Sequence, residues 1–184
     1  MEEKIRTLSQ LFANHFSAQL DTVRLRTGKI TERIKINHPQ AAAIVPFVDE
    51  RQILMVRQWR YAIDRETLEI PAGKVDPGED LETCARRELT EETGYTAQHL
   101  LPIFRYYPAI GYSDEVIQIY AASGLERFTR DVDTDEISKV ERVDLDELHD
   151  LIMRGVIEDG KTVIGVSLFR SMQEHRQIPE DFFR

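Results

Sequence analysis

The segment from Asp80 to Gly94 constrains this 184-residue chain more than any other. Its apolar residues Leu81, Cys84, Ala85 and Leu89 recur at helical spacing, and Gly94 supplies the residue on which a helix stops. At about 100° per residue, these four fall within about 80° of the direction of Leu81. Glu88, Glu91 and Glu92 occupy the same sector, so one side of the helix changes from apolar to carboxylate half-way along. A merely solvated helix would carry its acids opposite the stripe, where Arg86 and Thr90 lie. Three carboxylates at i, i+3 and i+4 beside a core are costly unless something positive compensates. They also sit at the helix end whose dipole opposes negative charge. A hard divalent cation, bound through oxygen, is the compensation this chemistry points to.

The charge distribution agrees. Residues 66–92 hold nine acids against three bases, Lys74, Arg86 and Arg87, within a chain of net charge -9. An acidic total argues against a nucleic-acid surface. The longest stretch without a charged side chain, residues 36–48, is broken by Pro39 and Pro46, so no membrane helix is expected. The acidic start Met1-Glu2-Glu3-Lys4 lacks an apolar signal core, and the lone Cys84 suits a reducing compartment, so a cytoplasmic protein is expected. Cys84 itself lies on the apolar stripe and reads as a buried thiol. None of the five histidines has metal-ligand spacing.

Residues 2–16 read as a short helix, with Ile5, Leu8, Leu11 and Phe12 at helical spacing. Residues 19–26 and 30–37 read as two strands around Thr27-Gly28-Lys29, and His38-Pro39-Gln40 separates this unit from the rest. Residues 41–48 and 52–58 look like a buried hairpin around Asp49-Glu50-Arg51. Further strands are expected at 67–70, 99–106, 115–122 and 139–143, and helices at 80–93, 144–154 and 161–174. Helices among strands imply an α/β fold with a mixed sheet. The division is a small β appendage over 1–39 and a larger domain over 40–184.

Gly73, then Glu79, then Arg87-Glu88-Leu89-Thr90-Glu91-Glu92-Thr93-Gly94-Tyr95 resembles the complete Nudix box. All seven fixed positions are filled: Gly73, Glu79, Arg87, Glu88, Glu91, Glu92 and Gly94. The resemblance implies a Nudix-type α/β/α sandwich and a hydrolase that splits a nucleoside diphosphate from a linked moiety. It implies that Glu88, Glu91, Glu92 and the backbone carbonyl of Ala72 hold Mg²⁺ or Mn²⁺, two or three ions to a site. It further implies an Arg87–Glu79 ion pair that orients the helix.

The flanks Val56-Arg57-Gln58-Trp59-Arg60-Tyr61, Leu68-Glu69-Ile70-Pro71-Ala72-Gly73 and Tyr107-Pro108-Ala109-Ile110-Gly111-Tyr112 are similar to the ADP-ribose pyrophosphatase branch. Pro-Ala-Ile-Gly stands where that branch commonly has Ser-Pro-Gly. The reaction implied is ADP-ribose plus water giving AMP and ribose 5-phosphate. Arg60 is then the candidate pyrophosphate contact, against an exposed strand-end arginine. Glu69 is a candidate for metal or substrate, against a loop-stabilising acid, and Glu115 for the terminal ribose or the water. Trp59 and Tyr61 are candidates for adenine stacking, against ordinary packing. A general base is expected among Asp131, Asp133, Asp135 and Glu136, with Glu136 first. The appendage resembles the element by which this branch forms homodimers. A pyrophosphatase for GDP-mannose or NADH is the enzymatic alternative. A non-catalytic nucleotide-binding regulator is the other class, which an intact box and a short chain disfavour.

Overall fold

A computed structural model describes residues 1–128, 132, 135 and 137–184. The described chain forms two compact units, Met1–Gln40 with Tyr106–Ile117, and Ala41–Arg105 with Gln118–Arg184. No helix among the described residues is long and apolar enough to cross a membrane.

The first unit is an antiparallel three-stranded sheet in the order β1-β2-β3, from β1 (Glu3–Ala13), β2 (Phe16–Arg24) and β3 (Ile30–Asn37). The helix expected over 2–16 is therefore a strand. Its register with β2 shifts between Lys4 and Arg6 and again between Thr7 and Ser9. Ile5 and Leu8 are the extra residues at these two bulges, and a bulge breaks the two-residue alternation of a strand. Two bulges three residues apart imitate the helical period that Ile5, Leu8 and Leu11 display. Asn14, with φ +44°, makes the turn into β2. The unit also takes in Tyr106–Ile117, a stretch the sequence reading grouped with 40–184. Ile36 N–H donates to the Tyr112 carbonyl at 2.7 Å, Asp114 N–H donates to the Ile36 carbonyl at 3.1 Å, and His38 N–H donates to Asp114 Oδ1 at 2.8 Å.

The second unit contains β4 (Ala41–Pro46), β5 (Gln52–Arg60), β6 (Arg65–Glu69), β7 (Ala72–Lys74), α1 (Leu81–Thr93), β8 (Tyr95–Tyr106), β9 (Ile117–Arg127), β10 (Ile137–Asp144), α2 (Leu145–Met153) and α3 (Gly160–Glu174). The boundary residues Tyr106 and Ile117, at the outer ends of β8 and β9, fall in the first unit. The strands form two sheets, β7-β4-β9-β8 and β10-β5-β6. The expected β4–β5 hairpin is corrected here. Val48 N–H donates to the Gln52 carbonyl at 2.8 Å and Phe47 bridges Ile53, but the two strands then part into different sheets. β4 is apolar throughout and β5 is apolar over Ile53–Val56, and these buried stretches find packing on both faces, which a simple hairpin could not give them.

β4 is buried along its whole length. Ala42 and Ile44 join Cys84, Ala85 and Leu89 of α1 in one apolar cluster with Ala97, Tyr120 and Ala122. α3 also packs on β4, where Gly165 lets it approach Val45 and Ile119 closely. Helices thus cover both faces of the four-stranded sheet, and the α/β sandwich expected from the sequence is present.

Candidate active site

α1 begins as the sequence predicts. Asp80 caps it, its carboxylate accepting from Thr83 N–H at 2.9 Å. It ends at Gly94, whose φ of +76° closes the helix in the left-handed conformation. Between these ends the apolar first half is anchored in the core, which fixes where the second half points. Glu92 is buried, and Ala72 N–H donates to its Oε2 at 3.0 Å. That bond ties the helix to β7, which carries Gly73. A Cβ at position 73 would overlap the Glu88 carboxylate, so only glycine leaves room for it.

Arg87 organises the other acids. Its Nε and one terminal nitrogen donate to both Glu79 oxygens at 2.9 Å each, a planar bidentate pair. The second terminal nitrogen donates to Glu88 Oε1 at 2.7 Å and to Glu91 Oε2 at 3.0 Å. The guanidinium also donates to the Lys74 carbonyl at 2.9 Å, so it pins the loop before α1 to the helix. Bonding to Arg87, helped by the Asp76 N–H, outweighs desolvation and holds the Glu79 carboxyl down at about 2. The Arg87–Glu79 contact is as the sequence reading expected.

Glu88 and Glu92 behave oppositely. Burial raises the Glu88 carboxyl, and the neighbouring Glu91 and Glu79 raise it further, against the attraction of Arg87. Burial pushes Glu92 up to about 8, and the Ala72 N–H, Lys161 and Arg60 only partly offset it. Two carboxyls resist ionisation on the side of α1 that a surface helix would keep apolar. Among the described residues no three acids already converge into a cation cage. Glu88 and Glu91 are instead turned onto Arg87, which provides their positive neighbour. The donor set is nonetheless all oxygen, clustered and under-compensated, and it fits a divalent cation. Cys84 is free and buried, its thiol pushed up to about 12 by burial and by Glu88, so it is a packing residue and no nucleophile.

The flanking candidates divide. Arg60 and Glu69 come together: the Arg60 Nε and a terminal nitrogen donate to the two Glu69 oxygens at 2.7 and 2.5 Å. Glu69 is buried and also receives Lys161 Nζ and the Thr67 hydroxyl. Burial alone would raise its carboxyl, but Arg60, Lys161 and Thr67 together bring it to about 2. Glu115 belongs to the first unit, where its carboxylate lies 3.8 Å from His38 Nδ1. Trp59 and Tyr61 are both exposed. Asp131, Asp133 and Glu136 lie outside the described residues, and Asp135 is exposed.

Sequence reasoning missed Lys161. Its ammonium is buried between Glu69 and Asp159, in the first turn of α3. Only the predicted helix start at 161 marked its position. Nothing local to that start foretold a buried charge.

Comparison with known proteins agrees with this geometry. The Nudix domain family matches residues 37–163. The chain is 36% identical over 169 residues to the ADP-ribose pyrophosphatase of Bacillus subtilis, covering 90% of this chain and 91% of that one. The chain belongs to the Nudix family. It is also 36% identical over 176 residues to the methanol dehydrogenase activator of Bacillus methanolicus, covering 94% and 95% of the two chains. Among solved structures, an ADP compounds hydrolase superposes with a TM-score of 0.80 at 22% identity, covering 96% of this chain and 97% of that one. The protein is a Nudix hydrolase, and the acidic half of α1 and the Ala72–Gly73 segment lie within the residues the family matches.

Proposed function

We propose that this Nudix hydrolase cleaves the pyrophosphate of ADP-ribose, or a similar ADP-sugar, to AMP and ribose 5-phosphate. The observation that carries the reading is the inward placement of Glu88 and Glu92 against the Ala72–Gly73 segment. The likeness to an ADP-ribose pyrophosphatase over nine-tenths of both chains supports the substrate. Glu88, Glu91, Glu92 and the Ala72 carbonyl would hold Mg²⁺ or Mn²⁺, two or three ions in all. Bound there, the ions would supply charge neutralisation for the pyrophosphate and a water of lowered pKa. Arg87 and Glu79 keep the acidic face in place, and Arg60 takes an oxygen of the pyrophosphate. Glu115 is proposed to touch the terminal ribose, and Glu136 to take the proton of the attacking water.

A substrate panel of ADP-ribose, NADH and GDP-mannose, with Mg²⁺ and with products identified in ¹⁸O-labelled water, tests this. AMP and ribose 5-phosphate should dominate. A tenfold or better preference for GDP-mannose would replace the ADP-ribose reading with its chief rival.

The first unit, with residues 1–39 as its sheet, is proposed as the homodimer element. Leu11 is 74% exposed and Phe12 78%, and Ile30 and Ile34 are exposed on the same small sheet. Apolar exposure on that scale marks an interaction surface. Replacing both Leu11 and Phe12 by Asp is expected to turn a dimer into a monomer in sedimentation experiments. A wild-type protein that sediments as a monomer would remove the proposal. The reducing cytoplasm, suited to Cys84, is its proposed location.

A further inference from the structure

The Arg60–Glu69 pair is backed by a second set of donors. Arg60 holds both Glu69 oxygens. Each oxygen also has another donor: Thr67 Oγ1 lies 2.5 Å from Oε1, and Lys161 Nζ bonds Oε2. The partners differ in access. The Glu69 and Lys161 side chains are 3% and 9% exposed, whereas that of Arg60 is 39% exposed. Lys161 cannot leave easily, because its Nζ also meets Asp159 Oδ2 at 3.0 Å. Asp159 in turn caps α3, accepting from Thr162 N–H at 3.1 Å and the Thr162 hydroxyl at 2.6 Å. The Thr162 hydroxyl accepts from Ile70 N–H at 2.9 Å. Consecutive residues of α3, Lys161 and Thr162, therefore grip consecutive residues 69 and 70, next to the segment that meets Glu92.

A buried carboxylate stripped of its only cation is strongly unfavourable. Were Arg60 the sole partner of Glu69, it could reach a substrate only by orphaning that charge. We propose that Lys161 is a reserve counter-ion: with Thr67 it keeps both Glu69 oxygens satisfied when Arg60 moves onto a pyrophosphate group. Lys161 is thus a positioning residue. It touches no substrate, and it sets how readily Arg60 is released. This rests on the reading of Arg60 as a pyrophosphate contact.

The test is calorimetric titration of the full chain with inorganic pyrophosphate in EDTA, which needs no turnover. Arg60→Gln should weaken binding; if it does not, the Arg60 reading itself fails. Given that it does, Lys161→Met should weaken binding roughly tenfold, the scale of one charge-assisted hydrogen bond. The same change made in Arg60→Gln should have no further effect. Lys161→Met with unchanged affinity, or with an equal loss in both backgrounds, overturns the proposal. Lys161→Met risks misfolding because its partner Glu69 is buried, so Glu69→Gln provides a second reading. That change loosens Arg60 and leaves Lys161 on Asp159, and should tighten pyrophosphate binding about threefold or more. Unchanged or weaker binding by Glu69→Gln would equally overturn the inference.

Discussion

Glu92→Gln is expected to abolish most turnover and yet to stabilise the metal-free protein at alkaline pH. The loss of rate should be at least about 100-fold, the upper end of what losing a mere outer partner costs at a metal site. The gain in stability follows from the position of the carboxyl. Glu92 is 6% exposed. Burial, and then repulsion from Glu88, push its carboxyl to about 8, against an ordinary 4.5. A carboxyl raised in the folded state binds its proton more tightly there than in the unfolded chain. Ionisation therefore opposes folding, and metal-free stability should fall as pH rises from about 4.5 to about 8. Glutamine is neutral and keeps a carbonyl to accept from Ala72 N–H, so the variant lacks this fall. Thermal melts in EDTA should coincide near pH 5. They should separate by roughly 4–8 °C at pH 8, corresponding to about 2 kcal/mol for a chain of this size. Near-normal turnover would refute the metal-ligand assignment. Equal pH slopes for the two proteins would refute the account of the buried charge.

The contrast between α1 and β1 explains what could be read from the sequence. α1 carries its instructions locally: a capping acid, an apolar stripe, an acidic continuation and a terminal glycine. All lie within one segment, and all describe the same helix. β1 also carries an apolar pattern, but its two bulges convert alternation into a spacing of three. Only pairing with β2 decides between the two readings, and that pairing is not local information. The same limit applies to β4 and β5. Their short turn is legible, while their separation into two sheets depends on β6, β7, β9 and β10. In the site, the Arg87–Glu79 pair was implied by the resemblance to the Nudix box, whose fixed residues all lie in one helix, its terminal glycine and the segment before it. The Lys161–Glu69 contact joins residues 92 apart in sequence. It can be recognised only once α3 has docked on β4.

Gly73→Ala is expected to damage activity far more than stability, because the space it needs is taken by Glu88, a proposed metal ligand. A Cβ there would overlap both oxygens and the carboxyl carbon of Glu88. The strand has little freedom to withdraw, since Gly73 is paired with Ala42 of the fully buried β4. Glu88 is the group that gives way, and its carboxylate leaves the cluster. Overpacking of this kind costs about 1–3 kcal/mol, so the fold should survive with a midpoint lowered by roughly 2–12 °C. Turnover should fall about 100-fold, and the Mg²⁺ concentration for half-maximal rate should rise at least about tenfold, as for disturbed metal sites generally. Gly78→Ala is the matched control. Gly78 has a φ of +85° and no atom within 4 Å of an added Cβ, so alanine strains the backbone without crowding the site. It should lower stability by about 1 kcal/mol and leave the Mg²⁺ dependence alone. If Gly73→Ala instead keeps the wild-type Mg²⁺ dependence and rate, then Glu88 need not stand where β7 makes room for it.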